Sequence, residues 1–236
     1  MPEIKTFADD LTLARAVAGD WLALLGKNSG PHLAALSGGG IAKTLFTAVA
    51  DLARASGAFV GNVHFFWADE RCVPPNDSQS NFRLAEENLF RPMRIAPDRI
   101  HRLKGELAPE AAVAQASGEI RRIAPQDAAG IPVLDLIFLG IGPDGHTASL
   151  MPNARLAVLE SREPYVHVDN SPKPPPNRIS MTYPVLAAAR QVWVLVTGEG
   201  KTEALRESLR PDGKTPLARV LQSRAEIRIY SGVGAP

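Results

Sequence analysis

The sequence predicts an α/β protein, a single domain over residues 1–236 with a mostly parallel sheet and helices on both of its faces. Three observations lead there. Short apolar runs alternate with longer stretches of helical periodicity along the whole chain. One run, Leu33–Leu36, passes through Ser37-Gly38-Gly39-Gly40 straight into a helical segment, and another, Leu134–Leu139, empties into Gly140-Ile141-Gly142-Pro143-Asp144-Gly145-His146. Near-continuous apolar strands belong to parallel sheets covered on both sides. The ligand crevice of such sheets lies outside the carboxyl ends of the strands, so the loops that follow strands are the places to search for chemistry.

Taken in order, Leu11, Leu13, Ala14, Val17, Ala18, Trp21, Leu22 and Leu25 recur at helical spacing, with Gly26 as the stop. The strand Leu33–Leu36 and its glycine loop lead to a helix over Ile41–Ala55, whose inner face carries Leu45, Phe46, Val49 and Leu52. Val63–Ala68 reads as the next strand, followed by Asp69-Glu70-Arg71 and a Pro/Asn/Asp/Ser-rich loop through Ser80. A helix is expected over Asn81–Phe90 and another over Pro109–Ile123, before the strand Leu134–Leu139. Tyr165–Val168 and Gln191–Val196 read as strands, Lys201–Leu209 and Thr215–Gln222 as helices, and Ala225–Tyr230 as the last strand. Ser171-Pro172-Lys173-Pro174-Pro175-Pro176-Asn177 is too short to link two domains and reads as a stiff rim or lid loop.

Composition narrows the function classes. With 45% hydrophobic residues the chain can build a real core, and a formal net charge of +1 without a basic block argues against nucleic acid or a membrane surface as partner. No signal-peptide pattern and no apolar run of bilayer-spanning length is present, so a cytoplasmic protein is expected. The one cysteine, Cys72, excludes an internal disulfide and reads as a packing residue. The five histidines show no metal-ligand spacing, so neither a metal nor another cofactor is expected, and His32, His64, His101 and His167 read as structural or merely exposed.

Four strand-end clusters carry the candidate chemistry. Asp144-Gly145-His146 sets a carboxylate beside an imidazole for acid–base work, although Gly-Pro-Asp-Gly is also what an ordinary tight turn uses. Ser37-Gly38-Gly39-Gly40 presents backbone N–H groups at a helix start, an anion site that is neither a P-loop nor a dinucleotide fingerprint, with a plain turn as the alternative. In Asp69-Glu70-Arg71, Arg71 can reach a phosphate and Asp69 can accept hydrogen bonds from sugar hydroxyls, whereas Glu70 reads as an exposed strand-end charge. Arg178 and Lys201 add positive charge, and a lysine at a helix start opposes the helix dipole unless an anion or Glu199 offsets it. Ser78-Gln79-Ser80-Asn81 reads as a helix cap and Ser149 as a structural hydroxyl.

Leu36-Ser37-Gly38-Gly39, Trp67 to Asn81 and Leu139 to Leu150 closely resemble the signatures of the 6-phosphogluconolactonases, in matching order across residues 36 to 202. That family is grouped with glucosamine-6-phosphate deaminases on a modified Rossmann-like sheet. The deaminases follow the shared Asp-Gly-His turn with Ile-Ala-Phe-Asn-Glu-Pro; this chain has Thr147-Ala148-Ser149-Leu150-Met151-Pro152 and lacks the glutamate. Met151 stands where the lactonases usually carry phenylalanine, a conservative exchange. The resemblance implies that His146 is the catalytic base and that Ser37, Gly38, Gly39, Arg71, Arg178 and Lys201 hold the phosphate. Asp69, Asp144 and Asn177 match polar positions of the site. The implied partner is a small-molecule sugar-phosphate lactone, and a monomer is expected. A deaminase-like isomerase and a non-catalytic sugar-phosphate-binding protein of the same fold are the competing readings.

Overall fold

The computed structural model describes residues 2–27, 29–169, 171–224 and 226–233. The chain runs through β1 (Glu3–Thr6), α1 (Asp10–Leu25), β2 (His32–Leu36), α2 (Ala42–Ser56), β3 (Val63–Trp67), β4 (Asp69–Arg71) and α3 (Asn81–Ala85). A π-helical turn over Glu86–Phe90 joins α3 to α4 (Arg91–Met93), and α5 (Pro109–Ile123), β5 (Leu136–Gly140), α6 (Leu156–Leu159), β6 (Tyr165–Val168) and β7 (Arg178–Met181) follow. The remainder is α7 (Tyr183–Ala188), β8 (Gln191–Val196), α8 (Thr202–Leu209), α9 (Pro216–Gln222) and β9 (Ile227–Ser231).

The main sheet has the order β1-β9-β8-β5-β2-β3 and every neighbouring pair in it is parallel. Its inner strands are buried at consecutive positions, as in Leu33–Leu36, Leu136–Leu139 and Val192–Val196, because helices cover both faces. One continuous apolar core extends from Leu13 to Tyr230, with Trp21, Phe138 and Trp193 meeting edge to face across its middle.

The sequence reading placed one sheet; the protein has a second. Strands β4, β7 and β6 form a small antiparallel sheet in that order, with Asp69 opposite Ser180 and Arg71 opposite Arg178. Tyr165–Val168 therefore belongs to this antiparallel sheet, and Asp69-Glu70-Arg71 is a strand of its own rather than the start of a loop. The chain changes sheets at Ala68, whose amide donates to Leu36 O in the main sheet while its carbonyl accepts from Met181 N in the small one. Strands β1 and β7 were not anticipated. The first is a mostly exposed edge strand without apolar alternation, and the second is a four-residue strand fully buried behind charged and proline-rich sequence.

Other differences are local. The helix expected over Asn81–Phe90 changes to a π-turn after Ala85, and the wider turn lets the adjacent Leu89 and Phe90 both face the core. The last strand starts at Ile227, and Ala225, its expected start, lies outside the described residues. No helix among the described residues is long and apolar enough to cross a membrane.

Candidate active site

The loops after β2, β5 and β8, three adjacent strands at the middle of the main sheet, meet the small sheet around a cleft of about 230 Å³. Ser37, Gly38, Gly39, Asp69, Arg71, His146, Arg178 and Lys201 all line it. Eight residues singled out from five separate stretches of sequence thus converge on one cavity, at the carboxyl ends of the strands where an open parallel sheet leaves room for a ligand.

Gly142-Pro143-Asp144-Gly145 is indeed a tight turn, closed by Gly145 N donating to Gly142 O at 3.0 Å, and it carries the acid–base pair at the same time. His146 Nδ1 lies 2.5 Å from Asp144 Oδ1. Burial opposes ionisation of Asp144, but the hydrogen bonds and charge of His146 hold its carboxyl below the usual range. An ionised carboxylate accepts from Nδ1–H, which leaves Nε2 of a neutral imidazole as the proton acceptor. Asp144 does not line the cleft, so its place is behind the imidazole as an orienting group. The close approach requires glycine at position 142, where a Cβ would sit 2.1 Å from His146 Nδ1. The next turn is strained as well: Ala148, in the cleft wall, has φ of +48°, a left-handed conformation that costs a non-glycine residue about 1 kcal/mol or more.

Alternation along β4 sorts its three charges. Asp69 and Arg71 share the face that lines the cleft, while Glu70 points the other way into the start of α3. There Glu70 accepts from Asn81 N, Phe82 N and its neighbour Arg71 N, each at 2.8 Å, and from Ser80 Oγ at 3.1 Å. It is 2% exposed, which corrects its reading as a solvated charge. Burial pushes its carboxyl up to about 7, against the pull of the three N–H donors.

Asp69 is held by Ser149 Oγ at 2.7 Å, the structural role expected of that hydroxyl. The cap of α3 is Ser80, which accepts from Arg83 N, whereas Asn81 faces the cleft and its amide donates to Asp69 O at 2.9 Å. Asn81 was thus misread as part of a cap. Its carboxamide packs so closely on Gly38 that a Cβ there would lie 1.9 Å from Asn81 Oδ1. Asn177 lies outside the cleft wall, with its Oδ1 3.0 Å from His167 Nε2.

Four cations, Arg71, Lys173, Arg178 and Lys201, line the cleft against one carboxylate, Asp69, and none of the four is in an ion pair among the described residues. Arg71 and Arg178 are cross-strand partners, an arrangement that is repulsive unless an anion lies between or beside them. Arg71 spends one N–H on Gln79 O, and its buried Nε has no partner among the described residues. Burial lowers Arg178 and Lys201 below their ordinary values, with the charge of Arg71 adding to the first and that of Lys173 to the second. Lys173 was not anticipated as a site residue. Cys72, by contrast, behaves as expected, with burial pushing its thiol up to about 11.

Comparison with known proteins gives these geometric findings a family context. Residues 9–229 match the family model described as glucosamine-6-phosphate isomerases/6-phosphogluconolactonase. The chain is 33% identical over 212 residues to 6-phosphogluconolactonase 3, chloroplastic, of Arabidopsis thaliana, a match covering 85% of this chain and 63% of that protein. It is 40% identical over 156 residues to a 6-phosphogluconolactonase of Treponema pallidum, covering 66% of this chain and 64% of the relative. The matches thus span less than two thirds of either relative's length. The crystal structure of a 6-phosphogluconolactonase from Thermotoga maritima superposes with a TM-score of 0.82 at 26% identity, covering 98% of this chain and 100% of that one.

Proposed function

Because the chain belongs to the glucosamine-6-phosphate isomerase/6-phosphogluconolactonase family, we propose that it hydrolyses 6-phospho-D-glucono-1,5-lactone to 6-phospho-D-gluconate, the lactone step of the oxidative pentose phosphate pathway. The observation that carries this reading is a carboxylate-bound imidazole in a cleft that is also lined by four cations without an ion pair among the described residues.

In this proposal His146 Nε2 removes a proton from water as the oxygen attacks C1. The C1–ring oxygen bond then breaks, and the imidazolium returns the proton to the departing ring oxygen. Asp144 keeps the imidazole in the tautomer that accepts at Nε2 and steadies the imidazolium, the division of labour of a carboxylate–histidine pair. Ser37, Gly38 and Gly39, in the loop that leads into α2, together with Arg71, Arg178 and Lys201, hold the phosphate. Fixing that remote group orients C1 against the histidine and the water. Asp69, its carboxylate set by Ser149, accepts from sugar hydroxyls. Ester hydrolysis needs no redox cofactor, and we infer a cytoplasmic, monomeric enzyme.

The family's other activity, deamination with isomerisation, requires additional acid–base groups. Asp69 is the only carboxylate lining the cleft among the described residues; Glu70 is committed to α3, and Glu199 is not part of the wall. Purified protein given freshly generated 6-phosphogluconolactone should consume it well above its spontaneous hydrolysis, and should release no ammonia from glucosamine 6-phosphate. Ammonia release without lactone turnover would replace this reading with the deaminase one.

A further inference from the structure

We propose that Lys173, which the Ser171–Asn177 loop brings to the cleft beside Lys201 and Arg178, binds the ligand's phosphate and sets the preference for phosphorylated over unphosphorylated sugar. The inference rests on the reading of the cleft as a sugar-phosphate site and adds to it a residue that neither motif nor charge pattern marked.

The loop is anchored. Arg178, 5% exposed, donates from Nε to Pro175 O at 3.2 Å and from Nη2 to Lys173 O at 3.1 Å. Ser171 Oγ donates to the same Lys173 carbonyl at 3.0 Å, and Ser171 N reaches Pro176 O at 3.2 Å. The end of the loop is tied down where Cys72 N donates to Asn177 O at 3.0 Å, next to β4. Prolines at 172, 174, 175 and 176 restrict the backbone further. A lysine on a mobile surface loop would be a solvated charge, but here the Cα is fixed at the rim and only the side chain has to adjust.

Charge supplies the second argument. Among the described residues the Lys173 ammonium has no hydrogen bond and no ion pair, and neither has that of Lys201. They come from different parts of the fold, one from the hairpin of the small sheet and the other from the start of α8, and the charge of Lys173 raises the cost of charging Lys201. Among the described residues the Asp10 carboxylate opposes that repulsion at Lys201, by less than Lys173 adds to it. A phosphomonoester carries about −1.5 to −2 charge at neutral pH with three strong acceptor oxygens, which matches two ammonium groups and the N–H groups left on Arg178. Tying the Arg178 guanidinium to the loop carbonyls also makes the placements of Arg178 and Lys173 interdependent.

The test uses the whole chain with Lys173→Gln, Lys173→Met and Lys173→Arg. The side chain is exposed and unpaired, so the variants should fold. Calorimetric titration with 6-phosphogluconate and with inorganic phosphate should show affinity reduced about tenfold or more in the two neutral variants and mostly recovered in Lys173→Arg. Turnover of 6-phosphogluconolactone should show the loss in KM with kcat near wild type, and kcat/KM on unphosphorylated gluconolactone should be unchanged. Unaltered affinity for 6-phosphogluconate, or an equal loss on both lactones, would overturn the role of Lys173 while leaving the lactonase reading in place. Phosphate affinity that depends on Lys173 in a protein that hydrolyses no lactone would overturn the lactonase reading and leave this one standing.

Discussion

At the scale of single residues the site turns on one imidazole and what surrounds it. The carboxylate of Asp144 holds Nδ1 of His146, Gly142 makes room for the ring, and His146 is part of the cleft wall. Replacing His146 by Ala should leave far-UV circular dichroism unchanged and lower kcat about a hundred- to ten-thousandfold. Asp144→Asn should lower kcat by about tenfold or more with KM near wild type, because the amide can present a donor to Nδ1 and favour the wrong tautomer. A fall confined to KM would remove Asp144 from its orienting role. This part was legible in the sequence, because a two-residue spacing at the end of an apolar run leaves the pair little choice of place. The role of Asn81 was not legible, since Ser-x-x-capping and cleft-facing readings use the same polar residues and only the packing on Gly38 separates them.

At the scale of elements, three residues of β4 serve two structures at once, with Asp69 and Arg71 on the cleft and Glu70 on the start of α3. The Glu70 carboxyl has its ordinary value of 4.5 raised to about 7 by burial, so the folded state holds its proton more tightly than the unfolded chain does. The stability this contributes is present in full below about 4.5 and is lost as pH rises through about 7. Between pH 5 and 8 the wild type should therefore lose about 2–3 kcal/mol relative to Glu70→Gln, which has no such titration, as read by denaturant unfolding of both proteins. Parallel pH profiles would mean that Glu70 is ionised in the fold across this range. Long periodic elements such as α1 and α5 were read with bounds close to those observed, whereas β4 and β7 were missed as strands. A strand of three or four residues carries too little alternation to announce itself, and what holds β4 is pairing with a segment more than a hundred residues away.

At the scale of the whole molecule, the order β8-β5-β2 brings three loops from distant parts of the chain to one end of the sheet, and the small sheet closes the cleft from the side. One core running from Leu13 to Tyr230 supports the proposal that residues 1–236 form a single domain. Calorimetry should then show one transition with calorimetric and van't Hoff enthalpies in agreement, and two resolved transitions would divide the chain. The sequence by itself determined the alternation of strands and helices, the parallel sheet, and most of the residues that meet at its carboxyl edge. It could do so because periodicity and glycine placement are local properties, written over five to fifteen consecutive residues. Only the tertiary structure decided that Arg71 and Arg178 face each other across two strands, that Glu70 turns inward, and that an anchored proline loop carries Lys173 to the cleft. Each of these depends on pairing between segments far apart in the chain, where register and burial, rather than the neighbouring residues, set which way a side chain points.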